Sequence, residues 1–241
     1  MTDENSRYRC LFSFYGGKSK LAHLYPVPKY PLIIEPFAGG ASYSLRHMNH
    51  RQVFLNELDP EVYDIWSYLL STPLATILGN IPDMVAVGDR FEDRDGMHPG
   101  LLGLLRAEAN HGTQGGRGVH RQVTKIGAAC WPRLKRRIAY WHPLIKHWML
   151  RQGTWEDLVI TPATWFIDPP YNNPAGRRYR QSAIDYNRLG EWGRSLPGQV
   201  IVCENKGADW LPFTPLAARR GMRGSYQQRR AMEVIWTKED K

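Results

Sequence analysis

Residues 31–42, Pro-Leu-Ile-Ile-Glu-Pro-Phe-Ala-Gly-Gly-Ala-Ser, carry the strongest local indication of fold in this chain of 241 residues. A short apolar run leads into paired glycines and then into a stretch that can begin a helix, which predicts a buried β-strand, a tight turn and an α-helix. Glycines let the backbone approach a ligand closely, and the N–H groups of a first helical turn suit an anionic group. Because many α/β proteins carry such a turn, it indicates the α/β class and no particular function.

A second strand is predicted downstream, where the apolar run of residues 53–55 ends in Asn56 and Glu57. An acid at the end of the second strand, about 20 residues after the glycine turn, accepts hydrogen bonds from the ribose of adenosine-containing ligands. We assign this role to Glu57. Asp59 and Pro60 are interpreted as the N-cap and first residue of a helix over residues 61–70.

The segment Asp168-Pro169-Pro170-Tyr171 directly follows the apolar run of residues 165–167. The prolines hold the backbone extended, so the Asp168 carboxylate and the Pro169 carbonyl can both accept protons from an amino group conjugated to a ring. Tyr171 offers a face on which a flat base can stack. The pattern therefore favours methylation of an amino nitrogen on a base. An ordinary turn at the end of a strand is the structural alternative.

Two further strands are predicted towards the C-terminus. Residues 199–205, Gln-Val-Ile-Val-Cys-Glu-Asn, form one apolar run, with Asn205 at its carboxyl end, and residues 231–236 form the last, after a glycine-rich loop. We expect the last strand to be antiparallel in an otherwise parallel, Rossmann-like sheet. Near the N-terminus, residues 14–21 are expected to form a glycine loop opening a short helix. They lack the spacing of a phosphate-binding P-loop. We therefore expect the loop to close over a cofactor, with Tyr15 packing on it and Lys18 pairing with a carboxylate.

Residues 72–150 interrupt the alternation of strands and helices, which predicts a core of residues 1–71 and 151–241 with an inserted region. The insert is expected to contain helices over 74–78 and 101–109, a loop over 110–118, and an amphipathic helix from 131 to 149. The tryptophans of that last helix recur at helical spacing and are expected in the core. Five basic residues lie off the apolar positions: Arg133, Lys135, Arg136, Arg137 and Lys146.

Composition favours a polyanionic partner. The chain has 32 Lys and Arg against 23 Asp and Glu, a net charge of +9, and ten of the basic residues lie between Arg106 and Arg151 with one acidic residue, Glu108. Nucleic acid is the expected partner, and a merely solvated basic face is the alternative. The three scattered cysteines and the eight histidines show no metal-ligand spacing, so we expect neither a metal site nor disulfides. No membrane span or export signal is expected, which favours the cytosol.

In their order, four segments resemble the Dam-like adenine-specific DNA methyltransferases (the D12 class). These are Tyr-Gly-Gly-Lys at 15–18, Glu-Pro-Phe-Ala-Gly-Gly at 35–40, Asn56-Glu57, and the tetrapeptide at 168–171, with the basic insert between the last two. The resemblance covers most of the chain outside the insert. It implies a methyltransferase sheet, an inserted target-recognition region, and transfer of a methyl group from S-adenosylmethionine to the N6 atom of a flipped-out adenine in double-stranded DNA. The resemblance also implies that the protein acts in the cytoplasm of a bacterial or phage-infected host cell.

The resemblance implies roles for individual residues. The catalytic residues would be Asp168, Pro169, Pro170 and Tyr171. The cofactor would contact Tyr15, Gly17, Lys18, Glu35, Pro36, Phe37, Ala38, Gly39, Gly40, Glu57, Thr154, Trp155 and Asp168. DNA would contact Arg117, Arg121, Lys125, Arg133, Arg136, Arg137, Asn172, Arg177 and Arg178.

One position departs from the family pattern. Members often have Gly-Asp-Phe before the catalytic strand, with the acid binding the adenine of the cofactor, whereas this chain has Gly153-Thr154-Trp155. Either the Thr154 hydroxyl and the Trp155 ring suffice, or Asp157 reaches in. Two further alternatives stay open: methylation of cytosine or RNA, and a nucleic-acid-binding module that has lost the chemistry.

Overall fold

The strands place their side chains alternately on the two faces of one sheet. A computed structural model describes residues 10–49, 51–83, 96–109, 131–216 and 233–239. Within these ranges the elements are β1 (Leu32–Glu35), α1 (Ser42–His47), β2 (Gln52–Glu57), α2 (Pro60–Ser71), α3 (Leu74–Asn80), α4 (Pro99–Ala109), α5 (Trp131–Ile145), β3 (Met149–Gln152), β4 (Ala163–Ile167), α6 (Tyr186–Ser195), β5 (Gly198–Asn205), β6 (Thr214–Pro215) and β7 (Glu233–Lys238). On β4, Phe166 faces one core while Trp165 and Ile167 face the other.

The described strands form one sheet in the order β3-β2-β1-β4-β5-β7-β6. The pairs from β3 to β5 are parallel, and β7 runs antiparallel to both β5 and β6. This is a mostly parallel, Rossmann-like α/β sheet with an antiparallel last strand, so the predicted fold class is confirmed. The strand order reverses between β1 and β4, which is where such sheets open a ligand crevice at their carboxyl ends.

The helix that follows β2 begins as the sequence predicts. The Asp59 carboxylate accepts a hydrogen bond from the backbone N–H of Glu61 at 3.0 Å, and Pro60 occupies the first helical position. This satisfies an N–H group that has no partner within the helix. The chain therefore turns away from the carboxyl end of β2 at a defined point and leaves Glu57 at the crevice.

The structure corrects two predicted elements. Residues 15–16 and 19–24 form turns in place of a short helix, because their backbone hydrogen bonds, such as those from Leu21 and Ala22 to the Lys18 carbonyl, do not continue into a ladder. Helix α5 ends at Ile145 and not at Met149, because Met149 opens β3 and pairs with Phe54 of β2. The loop predicted at 110–118 lies outside the described residues, as do the glycine-rich loop before the last strand and that strand's first two residues.

The described helices of the insert share a core with the sheet. Leu104 of α4 and Ile138 and Trp141 of α5 are buried in the same cluster as Ile33 of β1 and Leu55 of β2. These helices therefore cover one face of the sheet, and the first and last parts of the insert contribute to the folded core. None of the helices in the described ranges has both the length and the hydrophobicity of a transmembrane segment.

Candidate active site

A pocket opens at the carboxyl ends of β1, β2 and β4. Most of the residues that the sequence assigned to a cofactor line it: Gly17, Lys18, Glu35, Phe37, Ala38, Gly39, Gly40, Glu57, Thr154, Trp155 and Asp168. The structure thus brings segments more than 100 positions apart onto one cavity, since parallel strands end at the same edge of a sheet. Pro36 and Tyr15 are not among the lining residues. Pro36 lies behind the turn, where its carbonyl accepts a hydrogen bond from Asn56 Nδ2 at 3.1 Å.

The glycine turn after β1 is tightly built. Gly39 has φ 46°, in the left-handed region, and a Cβ atom there would come within 2.7 Å of the Phe14 ring. Phe14 therefore packs on the glycines and lines the pocket, in the place predicted for Tyr15. The backbone of Tyr15 instead accepts a hydrogen bond from the Tyr179 hydroxyl at 2.9 Å. Both neighbours are aromatic, so local sequence did not distinguish them.

Glu57 ends β2 with its carboxylate fixed by the backbone. Its Oε2 accepts from the N–H of Gly39 at 2.9 Å, and its Oε1 accepts from the N–H of Asp59 at 2.9 Å. Burial raises the pKa of Glu57 to about 7, against the opposing effect of these hydrogen bonds. The carboxylate oxygens keep lone pairs for a second donor, which suits a ligand with hydroxyl groups.

A second carboxyl group, Glu35, lies at the end of β1. It is buried, accepts a hydrogen bond from the Ser44 N–H at 2.8 Å, and lines the same pocket. Burial raises its pKa to about 8, although the hydrogen bonds with Ser44 act in the opposite direction. The pocket floor therefore holds two carboxyl groups that titrate well above their ordinary range.

Lys18 and Asp168 form an ion pair at the edge of the pocket. Lys18 Nζ lies 2.7 Å from Asp168 Oδ1 and 3.3 Å from the Gly16 carbonyl, and it stands 4.6 Å from the centroid of the Tyr171 ring. Burial alone would lower the pKa of Lys18, but the charges of Asp168 and Glu233 outweigh it and the pKa is raised. Lys18 is therefore a cation, and the carboxylate with which it pairs is Asp168.

The rest of the tetrapeptide is anchored on both sides. The Tyr171 hydroxyl donates to Glu233 Oε1 at 2.6 Å, and the Pro170 carbonyl accepts from the Tyr186 hydroxyl at 2.8 Å. Asp168 and Pro170 line the pocket, whereas Pro169 is buried and Tyr171 lies beside the cavity, half-buried. The acceptor role of the Pro169 carbonyl and the stacking role of Tyr171 stay predictions.

The chain that follows the tetrapeptide forms a wall of the pocket that no sequence pattern predicted. Its lining residues are Tyr179, Gln181, Ala183, Ile184 and Asp185. Arg180 holds this segment to the start of α2, with one guanidinium nitrogen 3.1 Å from Asp59 and another 2.7 Å from Glu61. No local motif marks these residues, because their place depends on where the chain crosses the crevice.

Thr154, Trp155 and Asp157 stand where the family pattern has its acid and aromatic residue. Thr154 and Trp155 line the pocket, while Asp157 accepts a hydrogen bond from the Thr154 hydroxyl at 2.9 Å and lies 3.4 Å from the Arg151 guanidinium. These contacts, led by the Thr154 hydroxyl, lower the pKa of Asp157. Thr154 and Trp155 thus face the cavity and Asp157 contacts Thr154 from outside its lining, while the roles of these residues towards a cofactor stay predictions.

The predicted DNA contacts fall in different places. Arg133 and Arg136 are exposed on α5, and Asn172, Arg177 and Arg178 are exposed just after the tetrapeptide, whereas Arg117, Arg121 and Lys125 lie outside the described residues. Arg137 is a correction, because it is buried with its guanidinium 2.5 Å from Glu108. It follows Leu134 by three positions and precedes Trp141 by four, which puts it on the apolar stripe. That spacing, with Glu108 as the only acidic residue between positions 106 and 151, was the available signal.

Comparison with known proteins adds a likeness of fold. No protein-family model matches the chain, and neither does any curated protein. Among solved structures, the chain is similar to the rRNA methyltransferase aviRa from Streptomyces viridochromogenes, at 14% identity and a TM-score of 0.40, covering 90% of this chain and 80% of that one. It is also similar to Escherichia coli yhhF, whose name assigns it to the methyltransferases, at 11% identity and a TM-score of 0.34, covering 87% and 76%. The fold assignment rests on the strand order and directions described above.

Proposed function

We propose that this protein is an S-adenosylmethionine-dependent methyltransferase that modifies the N6 amino group of adenine in double-stranded DNA. One observation supports it above the others: Asp168, the glycine turn and Glu57 line a single pocket at the point where the strand order reverses. The order of these segments along the chain resembles the order found in the Dam-like DNA methyltransferases, and in the folded protein residues of each segment line the same pocket.

The residues of the pocket suit the cofactor. Gly39 adopts a conformation that disfavours other residues and keeps the backbone close to the cavity, and Glu57 supplies acceptors at the end of β2 where ribose binds in related folds. Thr154 and Trp155 would meet its adenine. When bound, S-adenosylmethionine supplies an electrophilic methyl group.

Asp168 would hold the amino group of the target base. Lys18 engages Oδ1, and within the described residues no hydrogen bond reaches Oδ2, so Oδ2 can accept an amino proton. That hydrogen bond would turn the nitrogen lone pair towards the methyl donor and strengthen as the nitrogen becomes positive. Positioning of this kind is worth roughly 7–11 kcal/mol when reacting atoms are held in line.

Electrostatics support a nucleic-acid substrate. The chain carries a net charge of +9, and exposed Arg177 and Arg178 follow Tyr171 by six and seven positions along the chain. A base inside a duplex hides its amino group, so the target would have to rotate out at a cost of a few kcal/mol. Arginines close to the pocket could stabilise the phosphates of the opened strand.

The proposal is tested by incubating the purified protein with methyl-labelled S-adenosylmethionine and, separately, unmethylated DNA and RNA. We expect label in N6-methyladenine from DNA. Label in N4-methylcytosine, or in RNA only, would replace the adenine proposal with another amino-methyltransferase. Absence of cofactor binding by calorimetry would instead indicate a nucleic-acid-binding module without the chemistry.

A further inference from the structure

We propose that Glu233, the first residue of β7, is a positioning residue for the tetrapeptide: it fixes the Tyr171 ring through its hydroxyl and the Asp168 carboxylate through Lys18. The inference rests on the proposed function and adds to it a residue from β7, which is separated from β4 by β5 alone. Its sequence neighbourhood holds no motif that would mark it.

The contacts converge on one oxygen atom. Glu233 Oε1 accepts hydrogen bonds from the Tyr171 hydroxyl at 2.6 Å and from the Tyr25 hydroxyl at 2.8 Å, and it lies 3.9 Å from Lys18 Nζ. Lys18 in turn contacts Asp168 at 2.7 Å and covers the Tyr171 ring. The ring and the carboxylate that would meet the base are thus both connected to Glu233.

The backbone of Glu233 gives this connection a rigid base. Glu233 pairs with Asn205 in the antiparallel ladder between β7 and β5, and its carbonyl accepts from the Leu216 N–H at 3.0 Å. Through its hydrogen bond to Glu233 Oε1, the Tyr171 hydroxyl would be tied to this strand.

The protonation states support hydrogen bonding in the direction described. Burial raises the pKa values of both Tyr171 and Tyr25 above the ordinary range, so both hydroxyls stay protonated and donate.

Asp168, Cys203 and Glu233 place their ligand atoms within 4.8 Å of one another, a spacing that could also suit a metal ion. The Lys18 ammonium lies among them, 2.7 Å from Asp168 and 3.9 Å from Glu233, and already supplies a positive charge there.

The experiment measures single-turnover methyl transfer to DNA together with S-adenosylmethionine affinity and thermal unfolding. Glu233→Ala and Tyr171→Phe should each slow transfer about tenfold or more, with cofactor affinity changed less than about threefold, as for groups that act on the transition state alone. Both substitutions remove the same contact. The loss of transfer rate in the double variant should therefore be close to the loss in either single variant, and much smaller than the product of the two single losses. Glu233→Gln keeps an acceptor and should recover part of the loss.

Two controls separate positioning from general stability. Glu239→Gln removes the same charge at the other end of the strand, where Glu239 pairs with exposed Lys29, and should leave the transfer rate unchanged. Tyr25→Phe removes a hydroxyl bonded to the same carboxylate but outside the tetrapeptide. It should slow transfer much less than Tyr171→Phe, and this pair decides the matter if Glu233→Ala does not fold.

The outcomes distinguish this inference from the proposed function. If the wild-type protein is active, two results would overturn the positioning role alone. One is a wild-type transfer rate in Glu233→Ala, and the other is an equal loss of rate in Tyr25→Phe and Tyr171→Phe. A wild-type protein that binds no S-adenosylmethionine and transfers no methyl group overturns the proposed function and the inference with it.

Discussion

At the scale of single residues, the site depends on charged groups whose environments differ. Asp168 is paired with a cation, whereas Glu35 and Glu57 are buried carboxyl groups held by backbone N–H donors. Asp168 therefore suits the proposed contact with a developing positive charge, and the other two suit neutral or weakly polar ligand groups.

Replacing Asp168 with alanine tests that distinction. We expect turnover to fall by about 10²–10³, because the substitution removes an acceptor used mainly as the nitrogen changes charge. Affinity for S-adenosylmethionine and DNA should change little. The measurement is single-turnover methyl transfer with binding by calorimetry, and exposed Asp209, changed to alanine, serves as the control. Retained activity in Asp168→Ala would show that another carboxylate holds the base.

Glu35 predicts a pH dependence of stability. Burial raises its pKa from 4.5 to about 8, so the folded protein keeps a proton that the unfolded chain releases. Where the folded state binds more protons, stability decreases as pH rises, here between about 4.5 and 8. Denaturant titrations across this range should show that decrease, and it should be smaller in Glu35→Gln. Equal pH dependence in both proteins would refute the assignment.

At the scale of elements, α5 shows how one helix can serve two purposes. Its apolar stripe, with Leu134, Ile138 and Trp141, packs into the core, while Arg133 and Arg136 face solvent. The exposed arginines are available to phosphates without disturbing the fold.

Adjacent arginines on α5 should therefore behave differently. Arg137→Ala leaves the buried carboxylate of Glu108 without its cation and should cost about 3–5 kcal/mol of unfolding free energy. Arg136→Ala should change stability by less than about 0.5 kcal/mol and weaken DNA binding. Urea denaturation and DNA binding by anisotropy measure the two effects. Similar stability losses in both variants would contradict the buried placement of Arg137.

The contact between α2 and α4 requires a glycine. A Cβ atom at Gly100 would come within 2.1 Å of the Asp64 carbonyl oxygen and 2.6 Å of Tyr68 Cβ, so α4 could not keep its present distance from α2. Gly100→Ala should destabilise the protein by about 1–3 kcal/mol or more. Gly79→Ala in α3, where the added atom meets nothing within 4 Å, should stabilise it by about 0.5–1 kcal/mol. Chemical denaturation compares them, and equal effects would contradict the close packing.

At the scale of the whole molecule, the sheet has two ends with different properties. The carboxyl ends of β1, β2 and β4 carry the pocket, while Lys29 lies at the opposite end, where its backbone N–H donates to Thr164 near the start of β4. The affinity of a negatively charged ligand that approaches the pocket should thus depend on basic residues near the pocket and not on those at the opposite end of the sheet.

Salt titration of DNA binding tests this polarity. If Arg177 and Arg178 contact phosphates, the double alanine variant should bind more weakly and reduce the slope of log affinity against log salt by about 1–2. Lys29→Ala removes an exposed charge at the other end and should leave the slope unchanged. A slope that falls equally in both proteins would indicate general charge attraction without a defined surface.

Much of this architecture could be predicted from local patterns. The apolar runs of β1, β4 and β5, the cap formed by Asp59, and the buried stripe of α5 all depend on residue periodicity and turn chemistry within a few positions. The position of Asp168 at a strand end could be predicted for the same reason. The end of α5 could not, since pairing of Met149 with β2 is a contact across 95 residues.

The sequence by itself determined where strands and helices form and which residues stand at strand ends, because these features follow from the preferences of neighbouring residues. Only the tertiary structure decided that Phe14 and not Tyr15 faces the pocket, that Arg137 is buried against Glu108, and that Glu233 reaches Tyr171. Each of these depends on strand order and register, which bring together side chains far apart in the chain and balance burial against charge at points that no local pattern marks.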